Sequence, residues 1–346
     1  MPPSSRIPPL LQPYTRLPAY DSLFLLTSTL GASANWLIIR FLCEALANEQ
    51  DDAGAEREDV AVVLVSWMRD WDFWKSEGRK GGGLDLERLK REGRLRFVDG
   101  LSGLYLPSTP EAPQQSQPPV STSGASMPRV AQNVLPVRGP PGRIPTRTPT
   151  APVHIAKPAS ETLTPQSSTP ADGQSPLISP DLKTLATTIQ RAMESLKNPA
   201  TRSRKTLLIL DSPDALLATQ PIITPSDLCS TILQLHEKAS HVLVHLNADD
   251  ALLSLSTPPQ PLEVEGHNLL VKMAHVSSRI LSCRVLDTGV ARDVSGVLRI
   301  TGGGSNTEGW WDESDNRSEE EQGRELLYLA KGDGSVKVFE RGAGEG

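Results

Sequence analysis

Val60 to Val65 is an unbroken apolar run, Leu23–Thr29 is a second short apolar run, and Leu95–Val98, Thr206–Asp211 and His241–Leu246 read as further short strands. A strand with one wet face alternates apolar and polar residues, whereas a strand covered on both faces does not. Such runs therefore demand helices above and below a largely parallel sheet. The intervening sequence supplies them. Asn35 to Ala47 sets Trp36, Ile39, Leu42, Cys43 and Leu46 at helical spacing. Trp67 to Trp74 turns into a helix, and Leu84 to Arg91 is a charged helical stretch. Pro180 opens a helix whose Leu182, Leu185, Ile189, Met193 and Leu196 face inward. Pro225 to Ala239 carries Leu228, Ile232 and Leu235 on one face, and Leu269 to His275 is a helix or loop. The end of the chain changes character. Arg279–Leu286, Val297–Ile300, Leu326–Leu329 and Val336–Phe339 read as short strands joined by Gly-rich turns. The expectation is an α/β fold, a three-layer domain with a mainly parallel sheet and an antiparallel extension; by analogy, that plan resembles RecA-like domains.

Length alone, 346 residues, suggests about two domains. Proline placement corrects that. More than half of the 30 prolines lie between Pro107 and Pro180, in a stretch rich in Ser, Thr and Gln that has no aromatic residue. Such a segment cannot bury enough surface to offset its ordering entropy and is expected to be disordered. The expected organisation is a flexible arm over 1–20, a first part of the domain over 21–106 and a disordered insertion over 107–179. A second part follows over 180–302, then an acidic flexible loop over 303–325 and C-terminal strands over 326–340.

The formal net charge is −6, so bulk electrostatics do not favour nucleic acid or an anionic membrane. Glu308 to Glu325 holds eight acids against two bases and accounts for that whole excess. Cys43, Cys229 and Cys283 are odd in number and far apart, with no CxxC spacing, and read as buried free thiols rather than a zinc site or a disulfide framework. Arg6 and Arg16 ahead of Leu23–Leu30 and Ala32-Ser33-Ala34 mimic a signal peptide. The long proline-rich lead and the apolar residues that follow at once, Trp36 to Leu42, argue instead for a strand and helix of the domain. Asn35 and Arg40 interrupt the one candidate membrane run.

The first strand–turn–helix is where a phosphate-binding loop would stand. That loop needs glycines for close backbone approach, a lysine for the β and γ phosphates and a hydroxyl for magnesium. Leu30-Gly31-Ala32-Ser33-Ala34-Asn35-Trp36 has one glycine and no lysine, so the loop is degenerate. Leu207-Leu208-Ile209-Leu210-Asp211 resembles the strand that presents a metal-orienting carboxylate. Without the lysine, Asp211 and Asp214 read as structural caps. Gly100-Leu101-Ser102-Gly103-Leu104 lacks the closing glycine of a serine-hydrolase elbow. His241 and His245 share one strand at an even offset and read as ordinary sheet histidines. No catalytic residue, cofactor site or metal site is expected.

Two groups have the chemistry of binding surfaces. Trp67, Trp71, Phe73 and Trp74 are four aromatics within eight residues of a chain only 4% aromatic. Trp71, Phe73 and Trp74 cannot share one helix face, so core packing and a partner interface are both open readings. Arg79, Lys80, Arg88, Lys90, Arg91 and Arg94, with Lys75 and Arg96, form a basic stretch that could touch a phosphate backbone or be a solvated helix face.

In order along the chain, Leu25–Ser28, Leu30–Leu37, Val63–Trp71 with Phe73-Trp74, Phe97–Tyr105 and Leu207–Asp214 resemble fungal members of the family of the sixth subunit of the Elongator complex. The likeness covers about 23–106 and 180–300. It implies a RecA-like fold without ATPase motifs, paired with the paralogous subunits 4 and 5 in a hetero-hexameric ring. That ring is an accessory to the catalytic Elongator subcomplex, which adds a carboxymethyl-type group to the wobble uridine of tRNA. The resemblance further implies a non-enzymatic subunit in the cytoplasm and nucleus, with tRNA as a partner and no membrane. The alternative is a diverged RecA-like P-loop ATPase with residual nucleotide binding.

Overall fold

Among the described residues ten strands pair in a single sheet: β1 (Ser22–Ser28), β2 (Val60–Ser66), β3 (Leu95–Asp99), β4 (Gln174–Pro176), β5 (Lys205–Asp211), β6 (His241–Asn247), β7 (Arg279–Arg284), β8 (Gly296–Gly302), β9 (Arg324–Ala330) and β10 (Val336–Glu340). This computed structural model describes residues 6–46, 59–105, 174–197, 204–254, 256–289, 291–302 and 323–340. Contacts divide the chain into one unit of Met1–Ser108 with Pro170–Gly346 and another of Thr109–Thr169, all of which lies outside the described residues.

The sheet order is β10-β9-β8-β7-β1-β6-β5-β2-β3-β4. Pairing is parallel from β7 across to β4 and antiparallel from β7 out to β10. The fold is thus the expected three-layer α/β arrangement, a mainly parallel sheet with an antiparallel extension. β1, β2 and β5 to β6 are buried along almost their whole length, which is why their sequences run apolar without alternation.

Among the described residues ten helices accompany the strands: α1 (Gln12–Thr15), α2 (Asn35–Ala45), α3 (Trp71–Gly82), α4 (Leu86–Arg91), α5 (Ser102–Tyr105), α6 (Leu182–Glu194), α7 (Ala215–Thr219), α8 (Pro225–His236), α9 (Asp250–Leu253) and α10 (Pro261–Val276). Two cores result. On one face of the sheet, residues of α2, α3 and α4 pack on Leu26, Val62, Leu64, Ile209 and Leu243. On the other, α6, α8 and α10 pack on Leu25, Val63, Val65, Leu208 and Val244. Odd and even positions of each strand divide between the two cores, as the two-residue period of a strand requires.

Several boundaries differ from the sequence reading. The arm over 1–20 is not loose where it is described. Ile7 and Leu11 are buried in the first core, and the Tyr14 carbonyl accepts from Arg279 at 2.9 Å. Its prolines suggested an unpacked segment, but they frame α1 and leave the apolar residues free to dock. The insertion ends earlier than expected, because Gln174–Pro176 pairs with β3 and Leu177 is buried. The acidic loop also ends earlier: Arg324 and Glu325 open β9, and Glu325 pairs with Arg284 at 2.7 Å. The remainder of both segments lies outside the described residues. α10 begins eight residues before the expected Leu269, set by a capping box between Gln260 and Glu263. All three cysteines are free and buried, and burial pushes the Cys283 thiol up to about 12. Among the described residues, no helix is long and apolar enough to cross a membrane.

Candidate functional site

In an open parallel sheet, ligands bind outside the carboxyl ends of the strands, where the connections change direction. Here β6 and β7 flank β1, so that edge is formed by the ends of β1, β6, β5 and β2. The degenerate loop leaves β1 at Ser28. Thr29 bridges to Ala32, whose N–H donates to the Thr29 carbonyl at 2.8 Å. Gly31 takes φ +87°, a conformation strained for side-chain-bearing residues. Ala32 and Ala34 are fully buried, while Leu30 projects into solvent at 88% exposure. The result is a closed turn rather than an open cradle of amides. The Leu30 N–H, in the turn after β1, donates to the Asp249 carboxylate. An acid of the chain already holds that donor.

Asp211, at the end of β5, is fully buried and surrounded. Ser66 Oγ donates to Oδ2 at 2.7 Å, Arg69 Nη1 lies 3.2 Å from both oxygens, and His245 Nδ1 lies 2.8 Å from Oδ1. Burial would raise this carboxyl, but the His245 hydrogen bond and the charges and donors of His245, Arg69 and Ser66 together hold it below the ordinary aspartate range. The network continues from His245 Nε2 to Ser28 Oγ at 2.8 Å. It thereby joins the ends of β1, β6, β5 and β2. Asp214 sits just beyond and accepts from the Asn247 backbone N–H at 3.2 Å and from Nδ2 at 3.0 Å. Burial raises its carboxyl.

Serine, imidazole and carboxylate stand here in the connectivity of a nucleophilic triad. Ser28 is only 6% exposed, however, and both Asp211 oxygens are engaged by further donors. The arrangement neutralises a buried carboxylate. A magnesium-orienting aspartate must instead leave lone pairs for the ion's water shell. Among the described residues, no group of His, Cys, Asp or Glu is arranged to hold a metal.

Sequence reasoning singled out Asp211 and read His245 as an ordinary sheet histidine, and it missed Ser28, Ser66 and Arg69. One signal was present: polar residues at the carboxyl ends of four otherwise apolar strands. His241, on the same side of β6, makes the equivalent contact at the other end of the strands, 2.9 Å from Ser22 Oγ.

The aromatic group is divided. Trp67, Trp71 and Trp74 are buried in this chain's own cores, so they hold the fold and are not available as interface anchors. One helix face need not hold them all, because Trp67 precedes α3 and packs on the opposite side of the sheet from Trp71 and Trp74. Phe73 alone is partly exposed, edge-on to Trp74 with Arg69 over its ring.

The basic stretch is also divided. Lys90 is buried at 4% exposure, paired with Glu87 at 3.2 Å and stacked over Trp71, so it cannot reach RNA. The Trp71 indole N–H donates to the same Glu87 at 2.6 Å, and this bond leads the causes that lower the Glu87 carboxyl. Arg79, Lys80, Arg88 and Arg91 are exposed, and Arg94 is half-buried. Two of these pair locally, Lys80 with Glu77 at 3.2 Å and Arg88 with Glu92 at 3.5 Å.

No family model and no curated protein matches the chain. Among solved structures, an uncharacterized protein from Pyrococcus horikoshii, in complex with an unknown peptide, is similar at 9% identity and a TM-score of 0.49, covering 97% of this chain and 98% of that one. A KaiC-like protein from Pyrococcus horikoshii OT3 is similar at 11% identity and a TM-score of 0.47, covering 97% of each chain.

Proposed function

We propose that this chain is a non-catalytic, RecA-like accessory subunit of the Elongator complex. In this reading it joins the paralogous subunits 4 and 5 in a hetero-hexameric ring that supports carboxymethyl-type modification of the tRNA wobble uridine. One observation supports the non-catalytic part: the turn after β1 and the aspartate at the end of β5 are both engaged by the chain's own groups. Asp249 holds the Leu30 amide in the loop, and Ser66, Arg69 and His245 hold both oxygens of Asp211. The sequence blocks that resemble the family supply the assignment to Elongator, and they fall on β1, α2, β2, α3, β3, α5 and β5.

Co-expression of the tagged chain with subunits 4 and 5 tests the reading. A stable complex of all three, purified through the tag and identified by mass spectrometry, is the expected result. A chain that stays monomeric in their presence removes it. The competing reading, a diverged ATPase, expects magnesium-dependent ATP turnover by the isolated chain that Asp211→Ala abolishes.

A further inference from the structure

At the carboxyl ends of the parallel strands the polar groups are inside and large apolar ones are outside. Leu30, Met68 and Ile178 each stand two residues past β1, β2 and β4, and Val285 stands one past β7. All four are exposed, Leu30 by 88%, Met68 by 53%, Ile178 by 78% and Val285 by 46%. The strand ends beneath them carry the buried contacts of Ser28, Ser66, Asp211 and His245. Water alone favours the reverse order, and exposed apolar groups gathered on one face mark a contact surface.

The outer residues also approach one another. A β-carbon at Gly31 would stand 3.2 Å from Val285 Cγ1, so Val285 lies against the turn that carries Leu30. Seven neighbouring strands, β7 to β4, at about 4.8 Å spacing make an edge roughly 30 Å long, enough for a protein partner. The charges beside Leu30 and Met68 are acidic: Asp70 and Asp250 are exposed, and Asp249 holds the Leu30 amide. The arginines beside Met68 and Val285 are turned to acids of the chain, Arg69 to Asp211 and Arg284 to Asp287 and Glu325. Near Ile178, Lys183 stands exposed with Asp181 beside it. An apolar centre with an acidic rim suits a basic protein surface and repels a phosphate backbone.

We propose that this edge is a docking surface for a basic segment of another protein. Apolar side chains of that segment seat against Leu30, Val285 and Met68, and its lysines or arginines meet Asp70, Asp249 and Asp250. The partner lies over the closed turn after β1 and over the Asp211 network described above. This holds whether or not the chain belongs to Elongator.

An amphipathic peptide of leucine and lysine is the probe, and a leucine–glutamate peptide of the same pattern is the control. Binding to the full chain is followed by titration calorimetry, and its place by hydrogen exchange. The lysine peptide is expected to bind and to protect 28–34, 66–70 and 284–288, and the glutamate peptide is not. Leu30→Ser combined with Val285→Ser is expected to weaken binding by about tenfold with little change in melting temperature, because both side chains reach solvent. Asp250→Lys is expected to weaken it and to reduce its salt dependence. Val271→Ser, at a 39% exposed residue of α10, also removes exposed apolar surface and is expected to change nothing. No binding, equal binding of both peptides, or binding that the edge variants leave unchanged overturns the proposal. So does a concentration-dependent dimer of the free chain that Leu30→Ser dissolves, which would give the edge to a second copy.

Discussion

The imidazole of His245 stands 2.8 Å from a carboxylate oxygen of Asp211, and neither side chain is more than 1% exposed. With Asp211 ionised, the ring must carry its proton on Nδ1. In the neutral ring Nε2 then accepts from the Ser28 hydroxyl 2.8 Å away. β1 and β5 do not pair; β6 lies between them and supplies the residue that bridges both. In a nucleotide hydrolase that span is filled by metal and phosphate. Here it is filled by side chains, and the same ends of the sheet become a strut.

Asp211 is therefore expected to matter for stability. Asp211→Ala strips a partner from Ser66, Arg69 and His245 together, and breaking a buried pair in this way costs about 3–5 kcal/mol. Denaturant unfolding measures it. A loss below about 1 kcal/mol would contradict the network as a structural device.

The same carboxylate predicts an acid limb. Its folded pKa lies below the unfolded value of about 3.9, so the unfolded chain binds the proton more readily. The stabilisation is complete above the unfolded pKa and is lost as pH falls through the folded one. Stability of the wild type should decline below about pH 4 more steeply than that of Asp211→Asn. Parallel acid limbs in the two proteins would assign the decline to other carboxylates.

Ser28 gives a third test. If the Ser28–His245–Asp211 chain activated a nucleophile, a fluorophosphonate probe would label it, and Ser28→Ala would abolish the label. Burial of the hydroxyl at 6% residue exposure predicts no adduct in the intact mass of the folded protein. Labelling at Ser28 would replace the strut with a catalytic site.

The layers of the fold were legible because short apolar runs closed by turn residues fit doubly covered strands, and β1, β2, β5 and β6 fall where those segments lie. The absence of a lysine at the first turn was equally legible. What could not be read was pairing across the sheet. Ser28 and His245 are 217 residues apart, and only the insertion of β6 beside β1 brings them together. Arg40 was read only as a charge against a membrane span. Its two carbonyl partners come from α3 and from a turn 294 residues away. Local spacing gives no signal for either contact. The tryptophans misled for a related reason: periodicity assumes one helix, and Trp67 lies ahead of it.

Phe73 and Trp74 now separate core from surface. Trp74→Ala empties a fully buried site beneath α3 and should cost about 3–5 kcal/mol. Phe73→Ala should cost far less in the isolated chain. If Phe73 alone of the aromatic group meets a ring neighbour, its loss lowers yield in co-purification with subunits 4 and 5 while leaving the melting temperature of the free chain nearly unchanged.

The exposed part of the basic stretch can be judged the same way. Arg79, Arg88 and Arg91 reach solvent on α3 and α4, whereas Lys90 is locked against Trp71. If the chain is the ring subunit proposed above, reversing Arg88 and Arg91 to Glu in that ring should weaken tRNA binding and reduce the slope of log affinity against log salt, by about one unit per lost phosphate contact. Lys90→Met keeps much of the packed stem and removes only a buried charge, so it should leave that slope unchanged while altering stability. A double reversal that leaves both affinity and slope intact would make the stretch a solvated face with local partners such as Glu77, Glu87 and Glu92.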